Sequence, residues 1–275
     1  MFDLLEGGWL TNIDSILAHG IPFLMVLTRI TGLFLFTPLV TSTTVPTVYK
    51  VLLSFMFAIA IYPFVPLATL PETIDLMSLA PMLTTELLIG VIIGLIAGIP
   101  MMAVQMGGYI MGYQMGLSLA QSFNPELDTN SSVIGQLLFF LSIFIYISVG
   151  GFETIFMILA DSFHTIGSGT FSVGDTPLEL LLNVLDTGFE LALRVASPIM
   201  GVVSMLMIAM GFIMKTMPQI NIMSIGFSVQ ILAGLSILAV LIASVGMIAG
   251  DEMVHVLELI NSWVQSFAMI GVRYG

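Results

Sequence analysis

The chain has 275 residues, of which 58% are hydrophobic and 8% charged, and its formal net charge is −12. A soluble domain carries about 25% charged residues, so this chain has too few to cover a water-exposed globular surface of its size. The acidic balance argues against binding to nucleic acid phosphates, and the lack of cysteine excludes disulfides and thiolate chemistry. The composition therefore predicts an integral membrane protein that contacts lipid.

Long charge-free stretches predict the transmembrane elements, because a membrane-spanning helix needs about 20 mostly apolar residues. Proline residues and polar turn clusters such as Asn124–Asp128 separate these stretches. We predict an all-α membrane protein with about six long apolar helices. Their approximate bounds are residues 13–37, 46–66, 80–106, 131–160, 177–214 and 222–260.

Two ionisable residues fall inside predicted helices. Arg29 lies in the first helix and Glu86 near the start of the third. Charge within a bilayer is costly and marks a functional site by default. We favour a structural Arg29–Glu86 ion pair over a proton relay. A relay needs several acids at depth, and the further candidates are Glu153 and Glu190, the latter one helical turn from Arg194.

Glycines recur at helical spacing in and after the third predicted helix. Small residues on one helix face let another backbone approach closely. We interpret the first four as helix-packing positions and the last two as part of a flexible functional element. In chain order the six glycines are Gly90, Gly94, Gly98, Gly108, Gly112 and Gly116.

The charge-free stretch from Leu87 to Pro125 is too long for a single crossing. Its second half, residues 107–123, is rich in glycine and polar side chains and makes a poor lipid-facing helix. Irregular backbone at membrane depth is tolerated where protein buries it or where it lines a cavity. We therefore expect residues 107–123 to lie inside a protein assembly or beside a pore.

Methionines cluster just before and within this stretch. Methionine is unbranched and adapts to irregular shapes. Most of the 21 methionines are expected to fill the core. For Met111 and Met115 two interpretations stay open, core filling and a deformable apolar seal around a passage.

The residue patterns predict no enzymatic activity, no cofactor and no metal site. The three histidines, His19, His164 and His255, are far apart, and no acid stands at metal-ligand spacing from them. The sequence contains no phosphate-binding glycine loop, dinucleotide fingerprint or nucleophile elbow.

Four motifs occur in order along the chain. They are residues 29–34 followed by Pro38 and Pro46, residues 86–90 followed by Gly94, residues 108–120 followed by Asn124-Pro125, and residues 218–227. Their order and spacing resemble those of the FliR family of type III secretion export-gate proteins over nearly the whole chain. Lys215 stands where this family often has arginine, and Ser228 where a proline is common.

The resemblance implies a non-enzymatic, channel-forming subunit of the flagellar type III secretion export gate. It implies a location in the bacterial inner membrane at the flagellar basal body, and the passage of unfolded flagellar proteins. The implied partners are FliP-like and FliQ-like subunits within the gate, and FlhB-like and FlhA-like export components.

The resemblance also implies a division of the chain. Residues 1–165, which include an irregular plug segment at 107–125, would be FliP-like, and residues 166–275 would hold a FliQ-like helical hairpin. Partner contacts at the hairpin loop would involve Lys215, Pro218, Gln219 and Asn221. A plug that closes the channel would be formed by Met111, Gly112, Met115, Gly116, Leu117, Ser118, Leu119, Ala120 and Phe123.

Two alternatives stay open. One is the homologous gate subunit of a virulence injectisome, against which the motif at residues 221–227 favours the flagellar branch. The other is a secondary transporter for a small solute. Transporters concentrate ionisable groups near the bilayer midplane, and this chain has few such groups.

Overall fold

The structure, a computed structural model, describes residues 3–37, 46–65, 76–117, 132–166, 177–216 and 222–274. Within these ranges the regular structure is helical and contains no strand, which confirms the predicted all-α fold. A short 3-10 turn at Tyr62–Phe64 extends the second helix. The helices are α1 Asp3–Phe36, α2 Thr47–Ile61, α3 Leu76–Gln114, α4 Val133–Ser148, α5 Gly151–Thr165, α6 Leu178–Thr216 and α7 Ile222–Tyr274.

Several helices extend beyond their predicted bounds. The first begins at Asp3 rather than near residue 13, and the last continues to Tyr274 rather than ending near residue 260. The third continues to Gln114 instead of stopping near residue 106. The predictions followed the apolar stretches. Backbone hydrogen bonding continues a helix through polar or glycine-containing turns where neither proline nor a cap stops it.

The fourth predicted helix is two helices. Ser132 caps the first of them, its Oγ accepting a hydrogen bond from the Gly135 amide at 3.3 Å. A turn at Val149 and Gly150 then separates α4 from α5, and Gly150 has a φ of +72°. A left-handed residue ends a helix and favours glycine. Gly150 therefore accounts for the break between α4 and α5. The prediction of a single helix at residues 131–160 missed this break because the whole stretch is apolar.

Three of the described helices contain segments long and apolar enough to cross a membrane. These segments are Leu79–Gln114, Leu178–Thr216 and Ile225–Phe267. A fourth crossing results if α4 and α5 together make one broken span. At about 1.5 Å per residue, the 39 residues of α6 measure about 58 Å. That exceeds the hydrocarbon thickness of about 30 Å.

The described residues form two compact units, each with its own core. The first contains residues 1–98, 153–178 and 257–275. Its core includes the fully buried Ile30 and Ile89. Two half-buried rings of this unit, Phe57 and Phe156, are stacked with centroids 4.3 Å apart. The second unit contains residues 99–152 and 179–256. The division near residue 165 that the resemblance implies stays a prediction.

Candidate functional site

Arg29 and Glu86 form an ion pair in the core of the first unit. Arg29 Nε donates to Glu86 Oε2 at 2.6 Å, and both side chains are 0% exposed. Arg29 Nη1 also donates to Ser162 Oγ at 3.0 Å. The guanidinium carbon lies 4.1 Å from the centroid of the Phe163 ring. One arginine on α1 therefore connects α3 and α5, and its charge is balanced by a carboxylate and a ring face.

A close backbone contact lies beside this pair. A Cβ atom at Gly90 of α3 would overlap the carbonyl of Arg29, and one at Gly94 would meet the carbonyl of Leu33. On α1, Gly32 faces the carbonyl of Leu87 in the same way. Glycines at these three positions let α1 and α3 touch backbone to backbone. Sequence reasoning did not assign Gly32 to this contact, although it lies in the first family motif.

The second half of α3 is packed by glycines against two further helices of the second unit. A Cβ at Gly108 would stand 2.7 Å from Gly135 Cα of α4, and one at Gly107 would stand 2.9 Å from the Ala192 carbonyl of α6. Gly112 lies against Ser132 at the start of α4, and Gly98 is buried. The expectation of irregular backbone is therefore wrong for residues 107–114, because close backbone packing offsets the low helix propensity of glycine.

The regular part of α3 ends in a turn at Met115 and Gly116. Gly116 has a φ of +79°, and its amide donates to the Tyr113 carbonyl at 3.0 Å. Met111 and Met115 are completely buried. Gln114 Nε2 donates to Ser204 Oγ of α6 at 3.1 Å. The described part of the predicted plug is thus the end of a regular helix and the turn that follows it, with Met111, Gly112 and Met115 buried.

Several predicted site residues lie outside the described part of the chain. Leu117 is described and partly buried. At the predicted hairpin loop, Lys215 is exposed in the last turn of α6. The positions outside the described residues are Ser118, Leu119, Ala120, Phe123, Pro218, Gln219 and Asn221.

The remaining ionisable groups in helices include one local pair. Arg194 Nη2 donates to Glu190 Oε1 at 2.6 Å across one turn of α6, and both side chains are mostly exposed. An exposed pair of this kind contributes little to stability. The Glu190 carboxylate therefore makes a local surface interaction with its own helix.

Helices with apolar surfaces, close glycine crossings and a neutralised internal charge define a polytopic membrane protein. The family described as "Bacterial export proteins, family 1" matches residues 21–256. The chain belongs to this family.

Curated relatives are consistent with that assignment. The flagellar biosynthetic protein FliR of Escherichia coli is 25% identical over 215 residues, covering 78% of this chain and 82% of the relative. FliR of Bacillus subtilis is 23% identical over 256 residues, covering 91% and 96%. FliR of Aquifex aeolicus is 26% identical over 147 residues, covering 54% and 57%. The resemblance to the FliR family is thereby confirmed.

Proposed function

We propose that this protein is a channel-forming subunit of the flagellar type III secretion export gate in the bacterial inner membrane. It assembles with FliP-like and FliQ-like subunits, contacts FlhB-like and FlhA-like components, and passes unfolded flagellar proteins without catalysing a reaction. The family match and the FliR relatives support a role in flagellar protein export.

The observation that carries the proposed seal is the end of α3. Helix α3, which is lined with glycines, places two fully buried methionines, Met111 and Met115, just before a left-handed turn at Gly116. Methionine closes gaps without a specific fit, and the residues that follow continue the family's central motif. We assign the seal to residues 111–123, with Met111, Gly112, Met115 and Gly116 forming its ordered base.

The outer surfaces of α6 and α7 support assembly with other subunits. Large apolar side chains are exposed along both helices, including Phe189, Met205, Phe212 and Leu232. The whole of α6 is about 58 Å long, and lipid tails cover about 30 Å of that length. We propose that partner subunits cover the exposed apolar side chains of α6 that lie outside the lipid tails, because a large exposed apolar surface is unfavourable in water.

The paired state of Arg29 favours a channel subunit over a solute transporter. Its partner Glu86 is fully buried and 2.6 Å away, the geometry of a structural ion pair. A proton relay would require acids that change protonation along a path.

A deletion of residues Gly116–Ala120 tests the seal. In membranes that contain the assembled gate, we expect the deletion to raise ion leakage severalfold over the wild type. As a matched control, the same five residues are replaced by a Gly-Ser sequence of equal length, so that the chain is not shortened. This variant should leak as well, because it also lacks the side chains of the seal. Unchanged leakage through an intact gate in both variants would contradict the seal.

The native mass of the tagged protein tests the assembly. After mild detergent extraction we expect a large complex that contains FliP-like and FliQ-like chains. A monomer or homodimer, recovered from an extract in which those chains remain associated with each other, would contradict the subunit proposal.

A further inference from the structure

Gly234 on α7 lies directly against the side chain of Met115. A Cβ atom at Gly234 would stand 2.7 Å from both Cγ and Sδ of Met115, and 2.9 Å from its Cε. Real Cβ atoms do not approach other heavy atoms so closely. The side chain of Met115 therefore lies directly on the backbone of α7, and it is completely buried there.

The neighbouring turn residue is held by the same helix. A Cβ at Gly116 would stand 2.9 Å from Cδ1 of the Phe227 ring and 3.9 Å from Gln230 Oε1. Phe227, Gln230 and Gly234 are spaced by three and four residues, so they share one face of α7. We call these three residues the Phe227 face.

A buried polar atom lies within this contact. Gln230 is 7% exposed, and its Oε1 accepts no hydrogen bond from any residue that the structure describes. An unsatisfied buried acceptor costs free energy. The unsatisfied Gln230 Oε1 therefore makes it easier to separate α7 from the Met115–Gly116 turn than a fully apolar contact would. The two surfaces fit closely in shape, but no hydrogen bond to Gln230 Oε1 joins them.

We propose that the Phe227 face positions the Met115–Gly116 turn and thereby holds the base of the seal in its closed place. This inference rests on the proposed function for its consequence, but the contact itself does not depend on it. The unbranched Met115 side chain can leave the Gly234 surface by rotating about its own bonds. Helix α7 thus contacts the base of the seal although the two are far apart in the sequence. Movement of α7 would release the Met115–Gly116 turn.

Paired cysteines test the contact. The chain contains no cysteine, so a Met115→Cys, Gly234→Cys double variant carries only the two thiols of interest. A Cβ at Gly234 lies 2.7 Å from Met115 Cγ, which is one bond from Met115 Cβ. The two Cβ positions are therefore closer than the upper limit of about 4.5 Å for a disulfide. The matched control pairs Met115→Cys with Leu232→Cys, since Leu232 is 70% exposed on α7.

The measurement uses the whole gate in native membranes, oxidised with copper phenanthroline. We expect a disulfide in the Met115–Gly234 pair at a yield severalfold above that of the control pair. We also expect oxidation to stop secretion of flagellar substrates and reduction to restore it. Both single-cysteine variants should be insensitive to the oxidant.

Equal crosslinking in the two pairs would overturn the contact. A specific disulfide that leaves secretion unchanged would overturn the positioning role. Failure of the proposed function would give a different result. In that case the Gly116–Ala120 deletion would not leak, whereas the Met115–Gly234 disulfide would still form.

If Gly234→Cys impairs assembly, Phe227→Ala provides a second test, because its loss of packing against Gly116 should raise ion leakage severalfold in an intact gate. Unchanged leakage in that variant would also overturn the positioning role.

Discussion

Arg29 meets α3 twice, with its carbonyl against the backbone of Gly90 and its guanidinium on the carboxylate of Glu86. Glu86 and Gly90 are four residues apart, which is one helical turn on one face. The close crossing of α1 and α3 and the buried ion pair are therefore a single arrangement. A change that separates the two backbones also lengthens the ion pair.

Gly90→Ala tests this coupling. The new Cβ would overlap the Arg29 carbonyl, so the helices must move apart and weaken the ion pair. We expect a loss of at least the 1–3 kcal/mol that is roughly typical of overpacking. The measurement is thermal unfolding of the purified gate in detergent. Gly20→Ala is the control, since it adds a methyl group in open space on α1 and should be neutral or slightly stabilising.

The ion pair itself predicts strongly non-additive substitutions. Glu86→Gln leaves the buried Arg29 charge without its carboxylate, and such a loss costs about 3–5 kcal/mol. We expect the double variant Arg29→Gln, Glu86→Gln to recover part of that stability, as measured in a double-mutant cycle.

The same double variant separates structure from proton transfer. A structural pair predicts that flagellar secretion continues once the protein assembles. If the double variant assembles fully and secretes nothing, the pair has a role beyond structure, and the structural assignment is wrong.

Gly116→Ala should be more harmful than Gly150→Ala. Both glycines have positive φ values, +79° and +72°, and a left-handed residue costs an L-amino acid about 1–2 kcal/mol. Gly150 has open space around it, whereas Gly116 faces Phe227. Unfolding midpoints should fall for both variants and further for Gly116→Ala.

Phe227→Ala identifies the source of that difference. Combined with Gly116→Ala, it removes the ring that the new methyl group meets. We expect the extra destabilisation of Gly116→Ala relative to Gly150→Ala to shrink in this background. An undiminished difference would show that Phe227 is not the obstacle.

Buried and exposed methionines on α3 should respond differently to truncation. Met111 is completely buried, while Met106 is 41% exposed. Met111→Ala leaves a cavity, with an expected cost of about 2–5 kcal/mol and increased ion leakage through the gate. Met106→Ala should show a smaller change in both measurements. A larger effect at Met106 would argue against the buried end of α3 as the base of the seal.

Sequence reasoning placed some parts of the site and missed others. It placed Arg29 and Glu86 together because two opposite charges in apolar helices have few other partners. It also singled out Gly90 and Gly94 by their spacing. It missed the contacts of Phe227 and Gly234. Phe227 ends the fourth family motif, but the motif does not show what the ring touches, and Gly234 is one small residue in an apolar helix. Gly234 becomes recognisable only beside Met115, 119 positions earlier.

The sequence by itself determined the membrane class, the helical fold and the family. These follow from charge density, the length of apolar stretches and ordered motifs, all of which are local or additive along the chain. Only the tertiary structure decided that residues 107–114 continue a regular helix and that α7 contacts the turn at Met115. Such outcomes depend on which helix faces meet, because the packing of one backbone on another offsets a local propensity that would otherwise end the helix.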